Sequence, residues 1–445
     1  MPLLTCAAPS RLPSVKGQRL CCTAPNVQSG SSALPISFDP KDDAAEGQTF
    51  SIQELPAFHQ AIVSGLGRPW TQATKPEEAE RRLRRIRPLC HRARITRLAD
   101  LTGLDRIGLP VVQAIRPAAL SEVTSLGRGM FIAEAAVGAI MEALERYYAE
   151  AIPPEWTFPA TAEELEVPDG LFEALLLPSY REKWQRHVIP WIMGVDIVTG
   201  RPQPVPLELV HTCYTEPPPP GDGLFVRTTT GLACHMDACS AFLHGLFECI
   251  ERDAIARAFV THGFFDRMRI PPTGLGSRVD HIRSAAAALG ISCALWHAPS
   301  PTGVPVVWCQ TIETGPGEPI LALPTEGYGA GPSLEAAAAN AMLEALSARA
   351  GAISGARDDQ TRVHYRRSVD AAVAKARVLI LDEQFGRPVR VPASPAIADP
   401  ATLVSVVGSS GLGPIIAVPL GYDRDTNVHC VRTVLAGAHA LFVLR

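Results

Sequence analysis

The spacing of apolar residues along the chain predicts several helices, because positions three and four apart share one helical face. Thr74 and Pro76 open the first of these helices, where a capping hydroxyl and a first-turn proline are both favourable, and Pro88 ends it. The longest predicted helices cover residues 131–149, 238–259 and 333–353, and shorter ones cover 279–289 and 369–376.

Runs rich in β-branched and aromatic residues predict strands between these helices. Residues 188–210 contain two such runs on either side of Thr199-Gly200, as in a hairpin. A turn is predicted at Gly127 and Gly129, and a loop over 216–223, which contains four consecutive prolines. Other strands are predicted over residues 109–116, 224–229, 292–298, 305–312, 378–381, 414–418 and 428–434. Because strands and helices both recur and the connections resemble hairpins, the predicted fold class is α+β.

The beginning of the chain lacks such a pattern. Residues 1–38 contain no Asp or Glu and are rich in Pro, Ser and Cys. A disordered tail or a misplaced start codon would have this composition, and a transit peptide would share part of it. We expect a disordered and dispensable segment over 1–55, followed by a helical lead-in over 56–94.

The composition is that of a globular protein with a large interior, with 47% hydrophobic and 19% charged residues among 445. A formal charge of −4 predicts no general attraction to nucleic acid or to a membrane surface. No apolar run approaches the roughly 20 residues that a membrane-spanning helix needs. The cysteines are eleven, an odd number, and are scattered through apolar segments. This usage is typical of reduced, buried thiols, so we expect a cytoplasmic protein.

One concentration of positive charge lies in the first predicted helix, where five arginines occur between Arg81 and Arg87. Such a run could contact phosphates or an acidic peptide. However, Glu77, Glu78 and Glu80 precede it by about one turn, so the favoured interpretation is a solvated face with ion pairs along the helix.

The three long helices carry related sets of charged residues, and spacings of three and four place the first two sets each on one helical face. The sets are Glu142, Glu145 and Arg146 in the first helix, Glu248, Glu251 and Arg252 in the second, and Glu344 and Arg349 in the third. Their neighbours are mostly apolar, and the third helix is built largely of Ala and Leu.

Charged side chains on such apolar helices need compensation, since an unpaired buried charge costs several kcal/mol. Salt bridges between the helices would provide it. A ligand would also provide it, because Mg²⁺ bridges carboxylates to phosphates and the planar guanidinium matches phosphate oxygens. Three converging Glu/Arg helices would then form a magnesium–nucleotide site without a phosphate-binding loop. The spacing alone leaves both interpretations open.

Two weaker candidate sites lie elsewhere. Cys234, His235, Asp237 and Cys239 are metal-ligand types within six residues, but they lack the paired spacing of zinc sites. The Gly-Arg-Gly of residues 127–129 precedes a helix, where it could hold a phosphate on backbone N–H groups or form a plain turn. The chain contains no Walker-type lysine loop, dinucleotide fingerprint or Gly-x-Ser-x-Gly sequence.

Three stretches of the chain closely resemble the YcaO family. They are ITRLADLTGLDRIGLPVVQAIRPAALSEVTSLGRGMFIAEAAVGAIMEALERYYAE over residues 95–150, GLACHMDACSAFLHGLFECIERDAIARAF over 231–259, and SLEAAAANAMLEALSARAGAISGARDD over 333–359. With the strands between them, the resemblance covers about residues 90–437. We therefore expect a YcaO-type catalytic domain over 95–445.

The resemblance implies a pseudo-repeated cradle of helices and of mixed or antiparallel sheets, with ATP and Mg²⁺ between the polar helices. It also implies a reaction in which a nucleophile adds to a peptide-backbone amide, ATP phosphorylates the resulting oxyanion, and phosphate leaves. The product would be a thioamide, an azoline or an amidine in a ribosomally made peptide or a protein.

The resemblance also implies roles for the charged residues. Mg²⁺ would be held by Glu142, Glu145, Glu248 and Glu251. The phosphates would be faced by Arg128, Arg146, Arg252 and Arg349. Glu344 and Arg357 are additional candidates, and no residue is identified as a general base.

The segment TGLDRIGLPV, followed by AIRP, looks most like family members that are paired with a TfuA partner and associated with thioamides. Azoline-forming members commonly end in a proline-rich tail, whereas this chain ends HALFVLR and has its last proline at Pro419. We therefore expect thioamide formation on a precursor peptide or protein and a TfuA-like partner, with a homodimer as an open alternative to a monomer.

Several positions depart from the family pattern. The expected Gly-Lys-Gly contains Arg128, Thr230 replaces an Asn, Met236 lies in an altered Gly-Asn-Thr turn, Ser240 replaces a carboxylate, and Ser347 replaces a glutamine. Water can replace a single lost ligand of Mg²⁺. Several losses together would favour an alternative, a degenerate protein that binds peptide as a scaffold subunit of a modification complex.

Overall fold

The structure, a computed structural model, describes residues 52–70, 74–180, 184–315, 319–321, 323–355, 371–381 and 397–441. The segment predicted to be disordered lies outside the described residues as far as residue 51, and so does Arg357. The first described α-helix begins at Leu55, next to the expected start of the helical lead-in at residue 56.

Ten α-helices lie in the described residues. They are α1 (Leu55–Leu66), α2 (Pro76–Ile86), α3 (Leu89–Arg92), α4 (Ile132–Glu150), α5 (Ala238–Val260), α6 (Phe264–Arg267), α7 (Ser277–Ala287), α8 (Leu334–Ser354), α9 (Ala371–Leu381) and α10 (Pro400–Gly408). Local capping starts two of the longest ones, because Asp237 accepts a hydrogen bond from the Ser240 N–H and Ser333 accepts one from the Ala336 N–H. The three long helices match their predicted bounds within a residue or two.

Thirteen strands lie in the same residues. They are β1 (Arg97–Asp100), β2 (Val111–Ile115), β3 (Thr124–Arg128), β4 (Thr157–Ala160), β5 (Ile189–Asp196), β6 (Pro202–Pro206), β7 (Leu232–His235), β8 (Arg269–Ile270), β9 (Ile291–His297), β10 (Val306–Glu313), β11 (Thr325–Ala330), β12 (Ile415–Asp423) and β13 (Val428–Leu435). They form three sheets, in the orders β1-β2-β3, β11-β10-β9-β8 and β4-β5-β12-β13-β7, with β6 paired to β5. Every pairing of these strands is antiparallel, which confirms the α+β class.

The largest sheet has a helix on each face. Along β12 the side chains alternate, as they must in a strand: Ile416 and Val418 pack in the core with α4, whereas Ile415 and Ala417 pack in the core with α5. The four-stranded sheet repeats this arrangement, because Trp308 of β10 packs toward α5 and its neighbours in sequence pack toward α8. The long helices are therefore held by sheets and lie close to one another.

Three local predictions were wrong. Residues 224–229 form only an isolated antiparallel bridge between Phe225 and Leu176. The pairing does not extend into a strand, because the backbone N–H groups of Leu224 and Phe225 donate to the buried carboxylate of Glu208. Residues 378–381 continue helix α9, with Ile380 buried in the core beside α5, so packing outweighs their β propensity. The glycine turn at Gly127 is part of strand β3.

Two expectations about charge and membranes can be compared with the structure. On α2, Arg82 pairs with Glu78 and Arg84 pairs with Glu80 at 3.8 Å, each one helical turn back. The interpretation of this run as a solvated face with ion pairs is confirmed. Among the described residues, no helix combines the length and the apolar character that crossing a membrane would require.

Candidate active site

Each of the three long helices follows directly on an antiparallel strand, giving the units β3–α4, β7–α5 and β11–α8. Glycines let strand and helix approach closely in these units. A Cβ atom at Gly127 would lie 1.8 Å from the carbonyl oxygen of Ala135, and one at Gly329 would lie 2.3 Å from that of Ala337. The glycine at position 127 is therefore required for packing of β3 on α4 and not for a turn.

The first glutamate of each pair is held by the backbone of its own unit. Glu142 of α4 accepts a hydrogen bond at 3.1 Å from the Leu126 N–H in β3. Glu248 of α5 accepts one at 3.0 Å from the N–H of Gly231, the residue before β7. The backbone N–H thus fixes one oxygen of each carboxylate and orients the side chain.

The second glutamate of each pair is held by the next unit. Glu145 of α4 accepts at 2.9 Å from the Cys234 N–H in β7, and Glu251 of α5 accepts at 3.1 Å from the Ala330 N–H in β11. The same rule therefore operates twice, with the first glutamate bonded to its own unit and the second to the following one. This relation is the structural form of the pseudo-repeat that the sequence resemblance implied.

Two arginines connect the three units into a closed arrangement. The guanidinium of Arg252 lies 3.7 Å from Glu248, 3.6 Å from Glu251 and 3.9 Å from Glu344 of α8. Arg128 of β3 pairs with Glu344 at 2.8 Å, so the third unit contacts the first.

The third arginine brings in a residue that the sequence analysis missed. Arg146 pairs with Glu142 at 3.0 Å and with Glu122 at 2.7 Å. Glu122 lies in the loop before β3. The one sequence signal for a role in the site is its position within residues 95–150, the first stretch that resembles the YcaO family. We call the resulting set the Glu/Arg ring: Glu122, Glu142, Glu145, Glu248, Glu251, Glu344, Arg128, Arg146 and Arg252.

The charges of the Glu/Arg ring do not balance, since it contains six glutamates and three arginines. Burial, aided by neighbouring carboxylates and opposed by Arg252, raises the pKa of Glu251 to about 8. Burial likewise raises the pKa of Glu142 and, with the charges of Glu142 and Glu248, holds that of Glu145 well above its usual range. Of the ring residues, Glu251 and Arg146 are buried and the others are partly exposed. A partly desolvated set with surplus carboxylates favours either protonation or a bound cation.

The donor set fits Mg²⁺ bound together with phosphates. Among the residues that the structure describes, no three carboxylate, His or Cys side chains are grouped so that they alone could hold a metal ion. Mg²⁺, however, is usually bound by one or two carboxylates and completes its shell with water and phosphate oxygens. The ring supplies carboxylates already oriented by backbone N–H groups and, beside them, guanidiniums that match phosphates.

Arg349 does not lie at the phosphate site that was expected for it. It is 3% exposed and pairs with Asp105, at 2.7 Å, and with Glu313 at the end of β10. The structure describes no pairing of Arg349 with a member of the ring. Its helical position was correct, but two carboxylates from remote segments of the chain occupy its guanidinium.

The backbone of the Gly-Arg-Gly segment is also occupied. The Gly129 N–H donates to the Pro110 carbonyl at 3.2 Å, and the Met130 N–H donates to the Glu134 carboxylate at 2.7 Å. The interpretation of this segment as a backbone phosphate site is therefore not supported, whereas the side chain of Arg128 lies in the ring.

The cysteine-containing alternative does not assemble either. The Cys234 side chain is buried next to Cys430, whereas Cys239 packs against Gly65 of α1. The side chain of Asp237 caps α5 through Ser240. His235 lies 3.8 Å from Asp237, but no three of these side chains are grouped as metal ligands among the described residues.

The four replaced positions take local roles near the ring. Ser240 donates its hydroxyl to Asp237 at 2.7 Å, and Ser347 donates its hydroxyl to the Glu344 carbonyl at 2.9 Å. The Met236 carbonyl accepts from Asn427, and the Thr230 N–H donates to the Thr228 hydroxyl. None of these contacts adds a carboxylate or amide to the ring.

Comparison with known proteins matches residues 126–439 to the family model of the YcaO cyclodehydratases, which is described as ATP- and Mg²⁺-binding. A protein of Methanothermobacter thermautotrophicus is 34% identical over 277 residues, 61% of this chain and 70% of the relative. A protein of Mycobacterium tuberculosis H37Rv is 30% identical over 349 residues, 75% of each chain. A protein of Rhizobium leguminosarum bv. trifolii, named for its position in the tfuA 3′ region, is 30% identical over 366 residues, 79% of this chain and 85% of the relative.

Solved structures resemble the fold as well. YcaO from Methanopyrus kandleri, bound with AMPPCP and Mg²⁺, has a TM-score of 0.61 at 25% identity over 81% of this chain and 91% of that one. A heterocyclase in complex with substrate and cofactor has a TM-score of 0.64 at 15% identity, over 86% of this chain and 56% of that one. A chain of the E. coli microcin synthetase complex has a TM-score of 0.52 at 15% identity, over 76% of this chain and 87% of that one. The last two likenesses show the fold alone.

Proposed function

The chain belongs to the YcaO family, and on that premise we propose that it uses Mg-ATP to activate a backbone amide of a peptide by phosphorylating the amide oxygen. Family membership supports an ATP-dependent peptide-modifying enzyme. The observation that carries the proposal for this chain is the Glu/Arg ring, in which three helices and the segment before α4 bring surplus carboxylates and three guanidiniums together. A magnesium–triphosphate complex supplies both the cation and the anion that such a ring would bind.

The proposed roles follow from the contacts. Mg²⁺ would be held through the carboxylate oxygens that do not accept hydrogen bonds from the backbone, those of Glu142, Glu145, Glu248 and Glu251. Arg128, Arg146 and Arg252 would face the phosphates. Mg-ATP, when bound, would supply the phosphoryl group that turns an amide oxygen into a leaving group. The family resemblance implied that Arg349 faces the phosphates. We propose that it instead holds the loop of Asp105 against β10 and α8.

We further propose a thioamide as the product. Its support is the relative whose name places it beside tfuA, together with the resemblance of the TGLDRIGLPV segment to TfuA-paired members. A precursor peptide or protein would be the substrate, and a TfuA-like protein the partner. An azoline remains the alternative product, and mass spectrometry separates the two: replacing oxygen by sulfur adds about 16 Da, whereas loss of water removes about 18 Da.

The test is titration of the protein with Mg-ATP, followed by measurement of phosphate release in the presence of a candidate precursor peptide. We expect Glu248→Gln and Arg252→Ala to abolish peptide-dependent phosphate release while the fold stays intact. Arg257→Ala is a matched control on the same helix, because Arg257 pairs with Asp253 outside the ring. Unchanged release in either ring variant would remove that residue from the active site.

A scaffold function is the second candidate. It is favoured by Ser240 and Ser347, which stand where the family has a carboxylate and a glutamine, and by the pairing of Arg349 outside the ring. A scaffold would bind peptide but produce no heat with Mg-ATP, although the protein is folded. The same titration therefore decides between the two functions.

A further inference from the structure

A small cleft lies beside the Glu/Arg ring. Arg252 forms part of its wall, and most of the rest is apolar, including Leu175, Leu209 and Val434. The cleft has a volume of about 40 Å³, more than the roughly 10–15 Å³ that one water molecule needs. His439, whose side chain is 55% exposed, also lines the cleft and connects it to the surface. The cleft can therefore admit a small group from solvent to a point next to Arg252.

Arg432 of β13 also lines this cleft and has an unusual environment. It is 4% exposed. Its Nη2 donates to the Thr228 carbonyl at 2.7 Å, while Nε and Nη1 are buried and have no hydrogen-bond partner among the residues that the structure describes. Within the described part of the chain, no carboxylate forms an ion pair with Arg432.

Other buried arginines show the usual arrangement. Arg116 is 4% exposed and pairs with Glu150 at 2.6 Å, and Arg349 is 3% exposed and pairs with Asp105 and Glu313. A buried guanidinium without a counter-ion is destabilising. Two buried N–H donor groups of Arg432 are thus available to an anion that enters the cleft.

Two other guanidiniums lie near Arg432, and both have carboxylate partners: Arg227 pairs with Asp222 at 3.5 Å, and Arg146 pairs with Glu122 and Glu142 of the ring. Arg227 lies over the Tyr214 ring at 5.6 Å, and the Tyr214 hydroxyl is buried without a hydrogen-bond partner among the described residues. Burial raises the pKa of Tyr214, and the charges of Arg432, Arg146 and Arg227 partly oppose that rise. Arg432 is therefore the guanidinium beside this phenol that has no carboxylate partner within the described residues, and an anionic ligand would supply one.

We propose that the cleft receives part of the acceptor peptide and that Arg432 binds a carboxylate of that peptide. The proposal rests on the proposed function, in which Arg252 faces the phosphates, so that the amide to be activated lies beside the cleft. Leucine and valine walls are a poor match for a triphosphate and a good one for an apolar side chain next to the carboxylate. The arginine would select acceptors with an acidic group close to the modified amide.

The experiment uses the full chain with Mg-AMPPCP and saturation-transfer NMR. The probes are acetyl-Ala-Leu-Asp-Leu-Ala-amide, the same peptide with Asn, and the Asn peptide with an unblocked C-terminal carboxylate. We expect one of the two carboxylate peptides to bind about tenfold more tightly than the neutral one, which also identifies the source of the carboxylate. Arg432→Gln should remove this preference, Arg432→Lys should retain part of it, and neither should change the affinity for Mg-AMPPCP.

Three results would overturn the proposal. They are equal binding of the three peptides by the unmodified protein, an unchanged preference in Arg432→Gln, and a weaker affinity of Arg432→Gln for Mg-AMPPCP, which would assign Arg432 to the nucleotide. If Arg432→Gln does not fold, Arg432→Lys and the peptide comparison on the unmodified protein still decide. Failure of the unmodified protein to bind Mg-AMPPCP would instead contradict the proposed function. The two failures can be distinguished because nucleotide binding and peptide preference are measured separately.

Discussion

Replacing Glu251 by glutamine separates the two interpretations of the Glu/Arg ring, a ligand site or a set of structural salt bridges. Burial, opposed by the charge of Arg252, raises the pKa of Glu251 from 4.5 to about 8. The unfolded chain therefore releases this proton near pH 4.5, whereas the folded protein keeps it until about pH 8. Because the folded state binds the proton more tightly, stability falls as the pH rises through this window.

The size of the effect follows from the two pKa values. Between pH 4.5 and pH 7 the loss of folding stability caused by Glu251 reaches about 3 kcal/mol, at about 1.4 kcal/mol per pH unit. Glutamine resembles the protonated acid and can still accept from the Ala330 N–H. We therefore expect Glu251→Gln to match the unmodified protein at pH 4.5 and to exceed its free energy of unfolding by up to about 3 kcal/mol at pH 7.

The assay is urea unfolding at pH 5 and pH 7, combined with calorimetric titration of Mg-ATP. The ligand-site interpretation predicts a stable variant whose affinity for Mg-ATP falls at least about tenfold, since one oriented carboxylate is lost. Glu326→Gln is the control: Glu326 is buried with a raised pKa but bonds to Gln310 and Tyr328 outside the ring, so Mg-ATP binding should be retained. A Glu251→Gln variant that unfolds more readily at pH 7 yet binds Mg-ATP normally would refute the reasoning in favour of salt bridges.

Three further outcomes are expected. Arg116→Met should lower the free energy of unfolding by about 3–5 kcal/mol in urea titrations, because Glu150 stays buried without its partner; a loss below about 1 kcal/mol would contradict a structural pair. Burial lowers the pKa of His211, but the Asp222 carboxylate, 3.0 Å from Nε2, outweighs this effect and the pKa rises to about 9. Stability should thus fall by up to about 3 kcal/mol between pH 6.5 and pH 9, and His211→Gln should lack this dependence. Gly127→Ala should cost about 1–3 kcal/mol and weaken Mg-ATP binding, since its Cβ would overlap the helix backbone; unchanged thermal unfolding would show that the strand can shift.

Helix positions could be predicted from the sequence because they depend on short spacings. The periodicity and caps of α4, α5 and α8 are local, and the observed bounds agree with the predicted ones within a residue or two. Strands depend on partners that are remote in sequence. Residues 224–229 have the composition of a strand, but the Glu208 carboxylate takes two of their N–H groups. Strand β11 has a glycine-rich sequence that indicated no strand, although it pairs fully with β10.

For the site, the sequence by itself determined which charged residues share a helical face, since a spacing of three or four fixes that in any helix. Only the tertiary structure decided their partners. It anchors Glu142 and Glu145 on N–H groups of two different strands, and it encloses Arg349 between Asp105 and Glu313. It also buries Arg432 with no carboxylate partner in the described part of the chain. The physical reason is range: helical geometry acts over one turn, whereas charge pairing and burial depend on segments brought together from the whole chain.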